Sequence, residues 1–204
     1  MTEIVKERIL DAARARFFAM GFTKVTLDEL ADGLGISKKT VYKYFPSKDY
    51  LLETVVERTL VAASGRVEQI VSSQIDYMDK FHQIWSFLGD LLSRFSKQFQ
   101  NDLRRTRPEL WRRMEEFRRE NMLPNITHLF QEGARLGMLK KDVHTDVVVL
   151  MFVSTVEGII NPHVLTQHSF SAAEALQNIL SVFFEGILSD EARALYKRKT
   201  FQKP

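Results

Sequence analysis

Between residues 3 and 20, Ile9, Ala13, Phe17 and Met20 recur three or four positions apart, with Leu10 and Ala12 beside them. That spacing predicts an amphipathic helix. Gly21 followed by Phe22 supplies a left-handed stop with its hydrophobic contact. A second apolar run opens at Val25-Thr26-Leu27-Asp28-Glu29-Leu30, where Thr26 and Glu29 form a capping box and Val25 staples onto Leu30. This helix lasts to about Leu34. Gly35 offers the positive φ of a tight turn, and Ala31 is small enough for the next helix to cross closely. Ser37 caps a third helix, with Ile36 stapled onto Val41. Val41 and Phe45 fall on one side of it, and Lys39, Thr40, Lys43 and Tyr44 on the other. Two short helices joined by a glycine-containing turn make a helix-turn-helix.

Helical spacing continues to the end of the chain. Ser47 caps a helix whose stripe (Leu52, Val56, Leu60, Val67, then Ile70 or Val71) runs to about residue 72, with Gly65 its only soft position. An aromatic-rich helix over 77–100 carries Tyr77, Phe81, Trp85, Leu88, Leu92 and Phe95. Thr106-Arg107-Pro108-Glu109 reads as a capping box opening the next, to about Glu120. Pro124 stands at the front of a helix ending near Gly137, with Ile126, Leu129 and Phe130 inward. Residues 145–160 are apolar nearly all round, so every side needs cover. Asn161-Pro162 ends or kinks that helix, and Ser171 and Glu174 cap a final long one through Leu188. The expected fold is all-α: a three-helix head over 1–47, joined by one long helix to a larger helical region over 48–204.

The helices near 145–160 and 172–188 carry more apolar surface than one neighbour covers. A second copy of the chain would complete a two-fold, four-helix interface. The bland alternative is that both helices are core.

Composition narrows the reading. The chain has 204 residues, 45% of them hydrophobic with 15 Phe, enough for a sizeable core. It has no cysteine, which excludes disulfides and thiolate chemistry and fits a reducing cytoplasm. The first residues mix Glu3, Lys6, Glu7 and Arg8 with apolar positions, unlike a signal peptide, and no run approaches the ~18 apolar residues of a membrane span. Net charge is only +3, yet segment 36–48 holds four lysines and no acid. A short helix anchored at its back, with lysines, a hydroxyl and a phenol in front, suits phosphates and base edges. An ordinary solvated face is the competing reading of that run taken alone.

The ordered run from Val25 to Ala31, through Gly35-Ile36-Ser37 and Lys38-Lys39-Thr40-Val41-Tyr42-Lys43-Tyr44-Phe45, to Ser47-Lys48-Asp49-Tyr50-Leu51, resembles the DNA-binding signature of the TetR family of bacterial transcriptional regulators. The resemblance covers roughly residues 5 to 55. It implies that the helix at 38–44 enters the major groove, with Lys38, Lys39, Thr40 and Lys43 near bases and phosphates. It puts Tyr42 and Tyr44 against the sugar-phosphate backbone, and Thr26 and Lys48 on phosphates. Helix N-termini are anion sites in their own right, which supports the last two. The implied partners are double-stranded DNA as a palindromic operator, a second copy of the chain, and a small, largely apolar effector.

Other candidates weigh less. Phe81, Trp85, Phe95, Trp111, Met114, Phe130 and Met151 either line a cavity for an apolar ligand or are simply core. The histidines at 82, 128, 144, 163 and 168 are scattered, so no metal site is expected. Arg104, Arg105, Arg107, Arg112, Arg113, Arg118 and Arg119 are interleaved with Glu109, Glu115, Glu116 and Glu120, which reads as a salt-bridged, solvated face. Glu157 either faces solvent or anchors a ligand, and the basic stretch Arg193–Lys203 carries no assignment. No phosphate loop, G-x-S-x-G, H-E-x-x-H or cysteine nucleophile is present, so neither an enzyme nor a cofactor is expected. A dimeric, ligand-released repressor is the leading expectation. A DNA-binding regulator or structural protein without small-molecule input is the alternative.

Overall fold

A computed structural model describes residues 2–200, with side chains for 3–195. Among these, twelve helices form and no strand does; one isolated bridge pairs Leu139 with Leu188. They are α1 (Thr2–Met20), α2 (Leu27–Leu34), α3 (Lys38–Tyr44), α4 (Lys48–Val71), α5 (Tyr77–Ser93), α6 (Lys97–Thr106), α7 (Pro108–Asn121), α8 (Leu123–Arg135), α9 (Thr145–Ile159), α10 (Pro162–Leu165), α11 (Ala172–Ile187) and α12 (Asp190–Thr200). The fold is all-α, with an amino-terminal helix-turn-helix.

The chain divides into two compact units. One runs up to Ala63 and takes in Arg94–Phe117; the other comprises Ser64–Ser93 and the chain from Arg118 onward. The unit holding the head therefore extends well past residue 47. Its core gathers Phe17, Phe45, Leu51 and Leu52 from α1 to α4 with Phe99 and Leu103 of α6 and Leu110 and Met114 of α7. Phe18 meets Phe95 and Phe99 edge-on, at centroid distances of 4.7 and 5.0 Å.

Directional bonds reinforce that packing. Asp102, buried on α6, accepts from the Thr23 N–H at 2.9 Å, the Thr23 hydroxyl at 2.8 Å and Gln98 Nε2 at 2.8 Å. Gly21, just before, sits at φ +83°, and a Cβ there would lie 2.6 Å from the Asp102 carboxylate. Both its backbone conformation and this close approach require glycine. At the start of α7, Arg107 reaches Asp49 and Glu53 of α4 at 2.7 Å each, and Glu109 at 2.9 Å. Arg107 was expected on a solvated face and is instead largely covered. Arg112 pairs loosely with Glu116 at 4.0 Å, as that face predicts, whereas Arg113 reaches Glu53 of α4 at 3.2 Å.

The second unit is built on aromatic packing. Phe81 meets Phe184 at 4.1 Å, Trp85 meets Phe152 at 5.1 Å, and Phe130 stacks on Phe184 at 5.9 Å. One polar pair is sealed inside: Lys80 donates to both oxygens of Glu132, at 3.0 and 3.1 Å. Burial, with the Glu132 carboxylate nearby, pushes the Tyr77 phenol well above its ordinary range. Gly133 lets the Tyr77 hydroxyl lie where a Cβ would stand.

Several boundaries differ from expectation. The single helix expected over 77–100 is broken: α5 ends at Ser93, and Ser96 caps α6 by accepting from the Phe99 N–H at 3.1 Å. Thr106 does not open the next helix. It belongs to α6, donates to the Asp102 carbonyl at 2.9 Å, and Arg107 is the α6 C-cap. Met20, placed on the buried stripe of α1, closes that helix and is exposed. Beyond α11 a further helix, α12, takes up part of the basic stretch at the carboxyl end; residues 201–204 lie outside the described ones. Glu157 is partly exposed and pairs with Arg119 at 3.5 Å.

Candidate nucleic-acid interface

The second helix starts where its capping box puts it. Thr26 Oγ1 accepts from the Glu29 N–H at 3.1 Å, while a Glu29 carboxylate oxygen accepts from the Thr26 N–H at 2.8 Å. Those bonds, the backbone one foremost, hold the Glu29 carboxyl below its ordinary range. Gly35 closes α2 at φ +65°, and the chain turns into Ser37, whose Oγ accepts from the Thr40 N–H at 3.1 Å. Arg8 and Arg16 of α1 donate to the carbonyls of Leu34 and Glu29, tying α1 to both ends of α2.

On α3, Val41 and the following Phe45 are fully buried. Lys38, Lys39, Tyr42 and Lys43 are exposed, and Thr40 and Tyr44 are half-buried. The ammonium of Lys43 lies 5.7 Å from the Tyr44 ring centroid, and the Thr40 and Ser37 hydroxyls share a hydrogen bond at 2.8 Å. The result is a two-turn helix fixed from behind, with a cationic and hydroxyl-bearing front of the kind that reaches phosphates and base edges.

Two of the four lysines are already engaged. Lys48, half-buried, donates to the carbonyls of Thr23 at 3.2 Å and Val25 at 3.1 Å, closing the turn before α2. Lys38 pairs with Asp28 of α2 at 2.5 Å, and that bond raises the Lys38 ammonium's pKa above its ordinary value. Neither partner was anticipated from the sequence, nor were Asp102 and Arg107. All depend on contacts between helices, and no local pattern announces them.

The seven candidate ligand residues do not form one cluster. Phe95, Trp111 and Met114 belong to the head unit's core or its margin, while Phe81, Trp85 and Phe130 pack in the core of the other unit. Met151 is 56% exposed on α9. An open groove of about 610 Å³ between α1 and α4 is rimmed by Glu7, Asp11, Arg14 and Arg58 and contains none of the seven. Beside Met151, α9 also exposes Val147 and Leu150, and α11 exposes Val182.

No described helix is long and apolar enough to cross a membrane, and no cluster of metal-ligating side chains occurs among the described residues. Residues 9–55 match the family model described as bacterial regulatory proteins, tetR family. An uncharacterized HTH-type transcriptional regulator of Bacillus subtilis, YvaF, is 27% identical over 168 residues, 81% of this chain and 87% of that one. The HTH-type transcriptional repressor KstR2 of Mycolicibacterium smegmatis is 23% identical over 146 residues, 70% of this chain and 71% of its own. Among solved structures, the transcriptional regulator FadR of Bacillus subtilis in complex with stearoyl-CoA superposes with a TM-score of 0.61 at 20% identity, covering 89% of this chain and 98% of that one. With the helix-turn-helix, the capped and back-anchored α3 and these likenesses in agreement, residues 9–55 form a DNA-binding head of the TetR family, and the chain is similar over most of its length to bacterial transcriptional regulators, which are not enzymes.

Proposed function

We propose that the protein is a cytoplasmic, homodimeric repressor that holds a palindromic operator through α3 of each protomer and is released by a small, largely apolar ligand. The observation that carries the DNA-binding half is α3 itself, with Val41 and Phe45 buried and Lys39, Tyr42 and Lys43 exposed. Thr40, Tyr44 and the Thr26 end of α2 stand at its borders. One such helix makes only a handful of contacts and binds weakly. Two on one rigid body, at half-sites about 34–36 Å apart, bind a palindrome. We keep the division of labour expected from the sequence: DNA binding by the helices before residue 47, dimer and effector functions by the rest.

The uncovered apolar residues of α9 and α11 support dimerisation there. Val147, Leu150, Met151 and Val182 at a monomer surface are a liability that a two-fold partner removes. Leu150→Glu should leave a folded monomer by light scattering and weaken operator binding. A dimer that persists in that variant rejects the interface.

For the effector, the aromatic core of the second unit offers an apolar setting, and a relative of the same fold is known with a long-chain acyl ligand. Ligand binding there would act through α4, which is unbroken from Lys48 to Val71 across Gly65. The coupling needed is about 1–3 kcal/mol between the two states. Lys43→Ala tests the DNA contact: operator affinity should fall and its salt slope flatten while the dimer survives. The close packing of Phe81, Trp85 and Phe130 favours the second reading, a regulator without small-molecule input. A screen of fatty acyl compounds that raises the melting temperature by several degrees would decide for the first.

A further inference from the structure

The head displays four lysines between residues 36 and 48, but their ammonium groups are not equally available. Lys48 is spent on two backbone carbonyls. Lys38, the first residue of α3, reaches back across the turn to Asp28 in the first turn of α2, ten positions earlier. Both side chains are solvent-accessible, 60% for Lys38 and 48% for Asp28, so the pair lies on the surface that would meet DNA. Among the described residues Lys39 has no ion pair, and Lys43 has only the Tyr44 ring for company. Resting on the DNA-binding reading above, we infer that Asp28 withholds Lys38 from the duplex, so that Lys39 and Lys43 alone supply the lysine contacts to phosphate and the Asp28–Lys38 pair limits binding to DNA of any sequence.

The physical argument concerns exchange. A lysine that meets phosphate from free solution neutralises it and releases a condensed counterion, which is the main source of sequence-independent affinity. A lysine already held by a carboxylate gains little by the move, because it trades one anion for another. It also leaves that carboxylate unpaired and facing the polyanion, and like charges brought together are penalised. The neighbouring acid cannot replace Asp28 as Lys38's partner: the Glu29 carboxylate is occupied by the Thr26 N–H. Asp32 is a further acid near Lys38 and adds to the same restraint. An acidic group set among groove-facing lysines thus weakens every duplex alike, and sequence discrimination is left to contacts that depend on the bases.

The test uses the full-length protein, a random-sequence duplex as probe, and anisotropy titrations from low to physiological salt. Each phosphate contact contributes about 0.9 to the slope of log affinity against log salt. Lys38→Ala should leave the wild-type slope unchanged. Asp28→Asn should bind more tightly and steepen the slope by about 0.9 per head, about 1.8 for a dimer, or about 3.5-fold more loss for each doubling of salt. Asp28→Asn/Lys38→Ala should return to the wild-type slope. If Lys38→Ala already flattens the wild-type slope, Lys38 reaches phosphate freely and the inference is wrong. It is equally wrong if Asp28→Asn changes nothing, or if the double variant stays as tight as Asp28→Asn, which would mean the acid acts by its own charge. Lys43→Ala in the same titration separates this from the reading beneath it: a slope unchanged there removes the proposed interface itself.

Discussion

Both compact units have apolar, ring-containing interiors, but they supplement them differently. In the head unit, polar groups tie together segments far apart in sequence: Asp102 holds Thr23, Lys48 holds the carbonyls of Thr23 and Val25, and Arg107 spans Asp49 and Glu53. In the other unit, interdigitated rings fill the centre around one buried ion pair, Lys80–Glu132. Hydrogen bonds have direction and fix position to a fraction of an ångström, which a surface that matches groove geometry requires. Apolar side chains of similar size can repack with modest loss, which suits the effector-binding role proposed for this unit.

The sharpest way to break that contrast is in the aromatic core. Phe184 is fully buried between Phe81 and Phe130, so Phe184→Ala should destabilise the protein by about 3–5 kcal/mol in a urea titration. If the loss is under about 1 kcal/mol, the rings are not what holds this unit together. Lys80→Met comes next. It leaves the Glu132 carboxylate nearly buried without a partner, at about 3 kcal/mol. Adding Glu132→Leu should restore most of the loss, because two apolar groups of similar volume replace a pair whose attraction only offsets its own desolvation.

In the head unit a smaller stability effect should carry a larger functional one. Asp102→Ala leaves the Thr23 N–H and hydroxyl without their acceptor, which costs about 1–3 kcal/mol. Thr23 lies in the turn that positions α2, so DNA affinity should fall further than the change in melting accounts for at assay temperature. Matching the affinity of a core variant of equal stability would show that the carboxylate acts only as filler.

What could be read from the chain and what could not follow the same division. The caps at Thr26, Ser37 and Ser171 and the positive φ at Gly35 are signals a few residues long, and they appear in place. The outer face of α3 was legible for the same reason, since one helix with two buried anchors defines it. The break between α5 and α6 was hidden because the aromatic stripe continues through it, and Ser96 lacks the acid three residues on that marks a capping box. Thr106 and Glu109 carry that local pattern, yet α6 runs on through Thr106 and overrides it. The partners of Lys38 and Lys48 lie 10 and 23–25 positions away, so they exist only once the helices have crossed. The ligand candidates share a chemistry but not a core, and composition cannot show to which core a ring belongs.

The mildest effect concerns the capping box of α2, where the head's directional bonding is entirely local. Thr26→Ala removes the acceptor for the Glu29 N–H and should cost about 1 kcal/mol. Glu29 adds a pH signature. Its carboxyl is held below its ordinary value in the folded protein, chiefly by the Thr26 N–H, so the folded state favours the ionised form. That contribution is fully present above the unfolded carboxyl's pKa and is lost as pH falls through the lower folded value. Glu29→Gln keeps a side chain able to accept from the same N–H but cannot titrate. Its stability should therefore fall less steeply than the wild type's between about pH 5 and pH 3 and run parallel to it near neutrality. Parallel curves through the acid range would mean that the box is held by geometry alone and the charge on Glu29 is incidental.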